Sequence, residues 1–560
     1  MKNSIFILII TMKKLSVLLI LSMITINHVF AQEIPNEYYK LVNEADSLYE
    51  VAEYKASAFT YSAAMQKIGG KALIHDRYNA ACSWALANYP DSAFYHLHRL
   101  AVNKYDYYLS IMTDSDLYSL HNDKRWKPLL ETIKQNKKEN NSQLNCVNNK
   151  SDNEKTQKPP QEIKSYNLNV KINVKNKTVA VDGFITIDFN SADSLDLILW
   201  GKTKINEIKY NDKSVNYTFD ILSKSPVMYI PDGKTLTLIN PDKVTEIKSI
   251  YFNYECNMQN VEGWGRSFTD QWIELGYYTA WYPVHETSQK FTSSLQISID
   301  EPYKISGSGI IIQKDNQWEM AQTWESFDNI IIASKNLKSQ KIQINNTTIE
   351  VVYTDFPQSD IDSVFIEFKN VFDFHKNIYG QLNENEEYAK FVLCPTEGGG
   401  GYSRKNYISI KTSRFTAKLG YGIAHEMAHF WWNNADASTW HDWINEAFAE
   451  YSTLLYIKEK AGLYVFDSYI DAYRVNAESS CPVWNIDRAI PEAYTALYEK
   501  GSVLLYDLEQ KIGKKAFAEF TKHILSQKIK TTEEFLMTAQ NDLGTDISNW
   551  IETKLKMTNY

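Results

Sequence analysis

The stretch His425-Glu426-Met427-Ala428-His429, followed by Asn445-Glu446, decides how the rest of this 560-residue chain is read. No proline interrupts Gly420 to Trp432, so the segment can form a helix in which residues four apart share a face. His425 and His429 then point together. Two neutral imidazoles at that spacing supply two of the three protein ligands of a catalytic zinc and leave a fourth position open. Glu426 lies about 100° round the helix from His425. That puts its carboxylate off the imidazole direction but close to the open position, where a general base belongs.

The third ligand separates the families that use such a helix. A metzincin needs Gly at position 432 and His at 435, and this chain has Trp432 and Ala435. Trp443-Ile444-Asn445-Glu446-Ala447-Phe448-Ala449-Glu450-Tyr451 is amphipathic and predicts a second helix that presents Glu446 to the same metal. The expected donors are therefore His425, His429 and Glu446, holding one zinc per chain, with Glu426 as base. Asp442 and Glu450 are candidate acceptors for the imidazole N–H groups, Glu450 because it follows Glu446 by one turn. His441 reads as a loop histidine, since the zinc already has three ligands. Trp431, Trp432, Trp440 and Trp443 read as packing between the two helices.

His425 to His429, then Asn445-Glu446-Ala447-Phe448-Ala449 and later Tyr498-Glu499-Lys500-Gly501, resemble the gluzincin family of aminopeptidase N and leukotriene hydrolase. The resemblance implies that His425, His429 and Glu446 bind zinc and that Glu426 is the general base. It also implies that Tyr498 contacts the oxyanion, with Tyr494 as the reserve. A thermolysin-like catalytic domain follows, in which the strand Asn406 to Ile410 is the edge that pairs with the substrate backbone. The spacer between His429 and Glu446, sixteen residues, is slightly shorter than the family's usual one. A second departure lies ahead of the zinc helix. The family carries Gly-x-Met-Glu-Asn there, and its Glu pairs with the substrate's ammonium group. Here the stretch reads Gly400-Gly401-Tyr402-Ser403-Arg404-Lys405-Asn406. Arg404 and Lys405 are expected to repel an ammonium unless Glu397 or Glu274 replaces the missing carboxylate.

At 44% apolar and 23% charged residues the chain is globular and long enough for several cores. A net charge of −9, with no basic block interleaved with aromatics, excludes nucleic acid as a partner. Met12-Lys13-Lys14, the apolar run Leu15 to Ile26 and Val29-Phe30-Ala31 have the three parts of a secretory signal. Cleavage after Ala31 is expected, making the protein exported, periplasmic or secreted with no membrane span after signal removal; a membrane anchor is the alternative. Five scattered cysteines, an odd number, are not a disulfide framework.

The expected organisation is a multidomain α+β chain: a signal at 1–31, a tetratricopeptide-like helical domain at 32–135, a linker at 136–165, a β-rich domain at 166–352, and a gluzincin catalytic domain ending in helices at 353–560. The helical reading rests on Ser57-Ala58-Phe59 returning as Ser92-Ala93-Phe94, a spacing of 35, close to a tetratricopeptide period. Such helix pairs often present a docking surface for a protein partner. The β reading rests on alternation from Tyr166 to Val174, and Trp281-Tyr282-Pro283 resembles a segment of the family's amino-terminal β domain. The expected function is peptide-bond hydrolysis on peptide or protein substrates, aminopeptidase-like. The alternatives are a thermolysin-like endopeptidase and a non-catalytic peptide-binding protein that works through its helical repeats.

Overall fold

A computed structural model of the chain describes residues 34–141, 146 and 161–560, apart from 228, 242–246, 287–288, 301, 316, 345–346, 382–387, 397–399, 413 and 559. The expected signal and most of the expected linker lie outside the described residues. The chain divides into two units, 1–140 and 141–560.

The first unit is helical. Asn36–Glu50 and Tyr54–Lys67 form one hairpin, Ile74–Leu86 and Pro90–Val102 another, and Trp126–Asn141 runs past the expected boundary at 135. Ala45, Ala58, Ala80 and Ala93 are fully buried, so small side chains let the helix backbones approach closely. Pro90 sits in the first helical turn, where its missing N–H has no intrahelical partner to lose. The echo seen in the sequence is partial in space. Phe94 is buried, whereas Phe59 is 55% exposed.

In the second unit, alternation produces sheets. The strand Glu162–Asn173 begins ahead of the expected residue 166 and sits inside an eight-stranded sheet, parallel to Phe291–Ile299 and antiparallel to Thr178–Asp188. Trp281 and Tyr282 are fully buried beneath it. The Trp281 indole donates to the Asn329 carbonyl at 3.1 Å and the Tyr282 hydroxyl to Asp328 at 3.1 Å. The Trp-Tyr-Pro segment thus anchors the interior of the β-rich part.

A separate five-stranded sheet carries the site. Its order is Lys338–Ile344, Thr347–Tyr353, Tyr388–Cys394, Tyr407–Lys411 and Gly401–Arg404. Its first two strands precede the expected boundary at 353. Alternation marks them as strands but does not say which sheet they join. Thr347–Tyr353 pairs in parallel with Tyr388–Cys394, and the helix Gln358–Tyr379 makes the crossover. The edge is Gly401–Arg404, antiparallel to Tyr407–Lys411, and not the segment from Asn406 to Ile410, which is interior to the sheet. The chain then enters the two motif helices, Ala417–Ala428 and Trp443–Ala461, and ends in helices through Lys556. Among the described residues no helix is long and apolar enough to cross a membrane. Cys146 and Cys481 form a disulfide, while Cys82, Cys256 and Cys394 are buried thiols.

Candidate metal centre

Thr416 starts the first motif helix by accepting from the Leu419 N–H at 3.2 Å, a side-chain cap. The two histidines lie four positions apart, and their rings come together with centroids 5.0 Å apart. The second motif helix lies against the first through Trp432, which stacks on Phe448 at 3.9 Å. Asn445 closes the short spacer. Its Nδ2 donates to the Ala435 carbonyl at 3.0 Å, and its Oδ1 accepts from the Ala435 N–H at 3.2 Å. The neighbouring Glu446 is thereby aimed at the histidines.

The ligand atoms of His425, His429 and Glu446 lie within 4.8 Å of one another. Glu446 Oε2 is 3.4 Å from His425 Nε2 and 3.3 Å from His429 Nε2, yet this buried oxygen has no hydrogen-bond partner. A carboxylate oxygen so placed is costly unless something cationic meets it. The other ring nitrogens are already engaged. His425 Nδ1 is 2.8 Å from Glu450 Oε2, and His429 Nδ1 is 3.0 Å from the Trp432 carbonyl. A carbonyl only accepts, so the proton of His429 sits on Nδ1 and the Nε2 lone pair faces Glu446. Three donors of the types zinc prefers, with two imidazoles held by outer partners, fit that metal.

Glu450 therefore does what its spacing suggested, and the Tyr473 hydroxyl braces its other oxygen. Asp442 does not reach an imidazole. It accepts from Arg488 Nε at 2.9 Å and from Asn445 Nδ2 at 2.9 Å. His441 accepts from the Thr532 N–H at 3.1 Å and is no ligand.

Glu426 is buried beside the histidines, and burial pushes its carboxyl above the usual range. It lines a cleft of about 2250 Å³ together with both histidines, Glu446 and Tyr498. Gly401 borders it. A Cβ there would lie 2.8 Å from the Ser409 carbonyl and 3.1 Å from Glu426 Oε1, so glycine lets the edge strand pass close to the base. Tyr498 lies on a π-helical turn, Thr495–Lys500, a form of helix frequent at functional sites. Its ring stacks on His425 at 5.8 Å and on Tyr494 at 4.5 Å. Tyr498, not Tyr494, bonds the residues around the metal site, through Arg488 Nη2 at 3.2 Å. Gly501 permits that approach, because a Cβ on it would be 2.6 Å from Ala447 Cβ.

The segment that holds the metal centre is similar to an M1 peptidase domain. Residues 406–555 match the peptidase family M1 domain, and 71% of the chain is similar to the aminopeptidase N type that its motifs suggested. Aminopeptidase N of Lactococcus lactis subsp. lactis is 22% identical over 446 residues, 71% of this chain and 51% of that protein. The chain thus spans about half that relative's length. An M1 zinc metallopeptidase of Deinococcus radiodurans, solved with a Tyr-Ser-Ala substrate, superposes with a TM-score of 0.56 at 14% identity, covering 72% of this chain and 95% of that one. Yeast leukotriene A4 hydrolase with bestatin gives 0.54 at 18% identity, covering 73% and 71%. The multidomain α+β architecture is the one these M1 proteins share.

The departure at Gly400 to Asn406 has a different physical form from the one expected. Arg404 is buried, and its Nε donates to the fully buried Asp328 at 2.8 Å, so its charge is paired with an acid although the residue still lines the cleft. Glu274 does not stand in for the missing carboxylate. The Tyr402 hydroxyl covers it at 2.6 Å, and Trp272, Ser409 and Cys394 also donate to it. Glu397 lies outside the described residues. Arg488 went unnoticed in the sequence, where it sits in an irregular segment with no motif spacing to mark it.

Proposed function

We propose that this chain is an exported zinc metallopeptidase that hydrolyses peptide bonds and does not depend on a free amino end of its substrate. The observation that carries the reading is the orphaned Glu446 Oε2 facing two histidine Nε2 atoms, with Glu426 beside them. His425, His429 and Glu446 would hold the zinc. When bound, zinc lowers the pKa of water to about 7 and polarises a carbonyl. The raised carboxyl of Glu426 takes a proton from the attacking water and passes it to the leaving amine. Tyr498 donates to the oxygen that becomes negative. The edge strand Gly401–Arg404 offers backbone groups to an extended substrate.

Independence from the amino end is supported by the stretch that stands where the family's amine-binding motif is expected. Ser403 stands in the departing stretch, Arg404 is locked to Asp328, and Glu274 is sealed under Tyr402. Among the described residues of that stretch no carboxylate is placed to pair an ammonium. Zinc-loaded protein incubated with matched free and amino-acetylated peptides, read by mass spectrometry, should cut both sets. Cleavage confined to the first residue of free peptides would overturn this reading and restore an ordinary aminopeptidase.

Export is supported by the Cys146–Cys481 disulfide, a bond rare in reducing compartments. Fractionation that recovers the protein with cytoplasmic markers would contradict it. For the helical unit the reading is a surface for a protein partner, supported by exposed Phe59, Tyr95 and Tyr107. Unchanged partner capture by a chain in which all three are replaced by serine would contradict that.

A further inference from the structure

Four residues outside the metal ligands form one connected chain that ends at the oxyanion donor. Asn445 Nδ2 donates to Asp442 Oδ1 at 2.9 Å, Asp442 Oδ2 accepts from Arg488 Nε at 2.9 Å, and Arg488 Nη2 donates to the Tyr498 hydroxyl at 3.2 Å. Nη2 also stands 3.7 Å from Glu446 Oε1. The Arg488 guanidinium is centred 5.7 Å from the ring of Tyr498 and 5.7 Å from that of Tyr229. Asp442 is buried and the Arg488 side chain is 15% exposed, so the pair is fixed in place and is more than a surface contact.

We propose that Arg488 is a positioning residue that holds Tyr498 by its oxygen and so directs the phenolic proton toward the carbonyl under attack. The idea rests on the reading above that Tyr498 is the oxyanion donor. A guanidinium has only donors, whereas a phenol has one proton and an oxygen that accepts. Arg488 therefore gives and Tyr498 takes, leaving the Tyr498 proton free. The competing acceptor is Glu446, whose Oε1 stands 3.7 Å from the same Arg488 Nη2 that bonds this hydroxyl. If that carboxylate held the phenolic proton, the donor would be spent on a metal ligand. Arg488 lies against both groups and counters that capture by supplying positive charge beside Glu446 Oε1. Stacking on His425 and Tyr494 fixes the plane of the Tyr498 ring. Arg488 fixes what stacking leaves open, the direction of the hydroxyl.

The test is a double-mutant cycle on the zinc-loaded full chain. Arg488→Gln should lower kcat about 10- to 100-fold, the range for a lost hydrogen bond from a charged donor. KM should stay within about threefold and the zinc content should not change. Arg488→Lys keeps the charge but not the fork, and should fall between Gln and the parent. In a Tyr498→Phe background the same Arg488→Gln change should cost almost nothing, because its target is gone. Calorimetry with a phosphinic peptide, which mimics the tetrahedral state, should show the same loss in Arg488→Gln and the same insensitivity in the double variant. Equal losses in both backgrounds would overturn the proposal by showing that Arg488 acts independently. So would a rise confined to KM, the sign of a substrate-binding arginine, or a loss of zinc, the sign of a strut for Glu446. If Tyr498→Phe alone changes neither kcat nor phosphinate affinity, the oxyanion role fails first and Arg488 loses its function with it.

Discussion

Glu450 Oε2 lies 2.8 Å from His425 Nδ1, one helical turn beyond Glu446 on the same helix. One helix would thus supply both a metal ligand and the group that orients another. Glu450→Ala should weaken zinc affinity by about 10- to 100-fold, the usual cost of removing such a partner. Competition against a chelator of known affinity measures it, and unchanged retention of zinc would show that His425 needs no orienting group.

Tyr498→Phe should reduce kcat by about 10²–10³ with little change in KM, as loss of an oxyanion donor does. Tyr494→Phe should change kcat far less, since Tyr494 serves only as the stacking neighbour of Tyr498. Steady-state rates on one peptide decide between them, and the opposite ranking would move the role to Tyr494.

Gly501 packs where a Cβ would meet Ala447 Cβ at 2.6 Å. Gly501→Ala should therefore destabilise the protein by about 1–3 kcal/mol, the range for overpacking, and push the Tyr498 turn away from Glu446. Denaturant titration gives the first effect and kcat the second. A variant with unchanged stability and rate would mean that this helix crossing is looser than its geometry states.

The gathering of His425, His429, Glu446 and Glu450 was legible because helical periodicity is a local rule: these residues need only positions along two helices. The β-rich character of residues 162–353 was legible for the same reason, through alternation. Sheet membership was not. Lys338–Ile344 and Thr347–Tyr353 join the catalytic sheet by pairing with a strand that comes after an intervening helix, and a strand's own pattern does not name its neighbour. Arg488, Asp328 and the cover of Tyr402 over Glu274 are likewise tertiary. The Cys146–Cys481 bond spans 335 residues. At Arg404 the sequence showed the charge but not its partner: the guanidinium is buried against an acid 76 residues away, whereas its neighbour Lys405 is exposed.

His375 joins the crossover helix to the motif helix, its Nε2 lying 2.9 Å from the Ala424 carbonyl. Burial pulls its imidazole down to about 4 from the ordinary 6.5. The folded protein thus keeps it neutral where the unfolded chain takes up a proton. Stability from this group is full above the unfolded value and declines as pH falls from 6.5 toward 4, by about 1.4 kcal/mol per pH unit. Urea titrations of zinc-free protein across that window should show a shallower decline for His375→Gln than for the parent. Identical slopes would contradict a buried neutral histidine.

Glu426→Gln tests the central claim most directly, because it removes a base without removing a ligand. Zinc content and turnover should be measured on the same purified sample, beside His425→Ala and Glu446→Ala. The account predicts one zinc per chain and nearly complete loss of peptide hydrolysis in Glu426→Gln, with zinc lost from the other two. Full activity in Glu426→Gln, or zinc retained in both ligand variants, would contradict it.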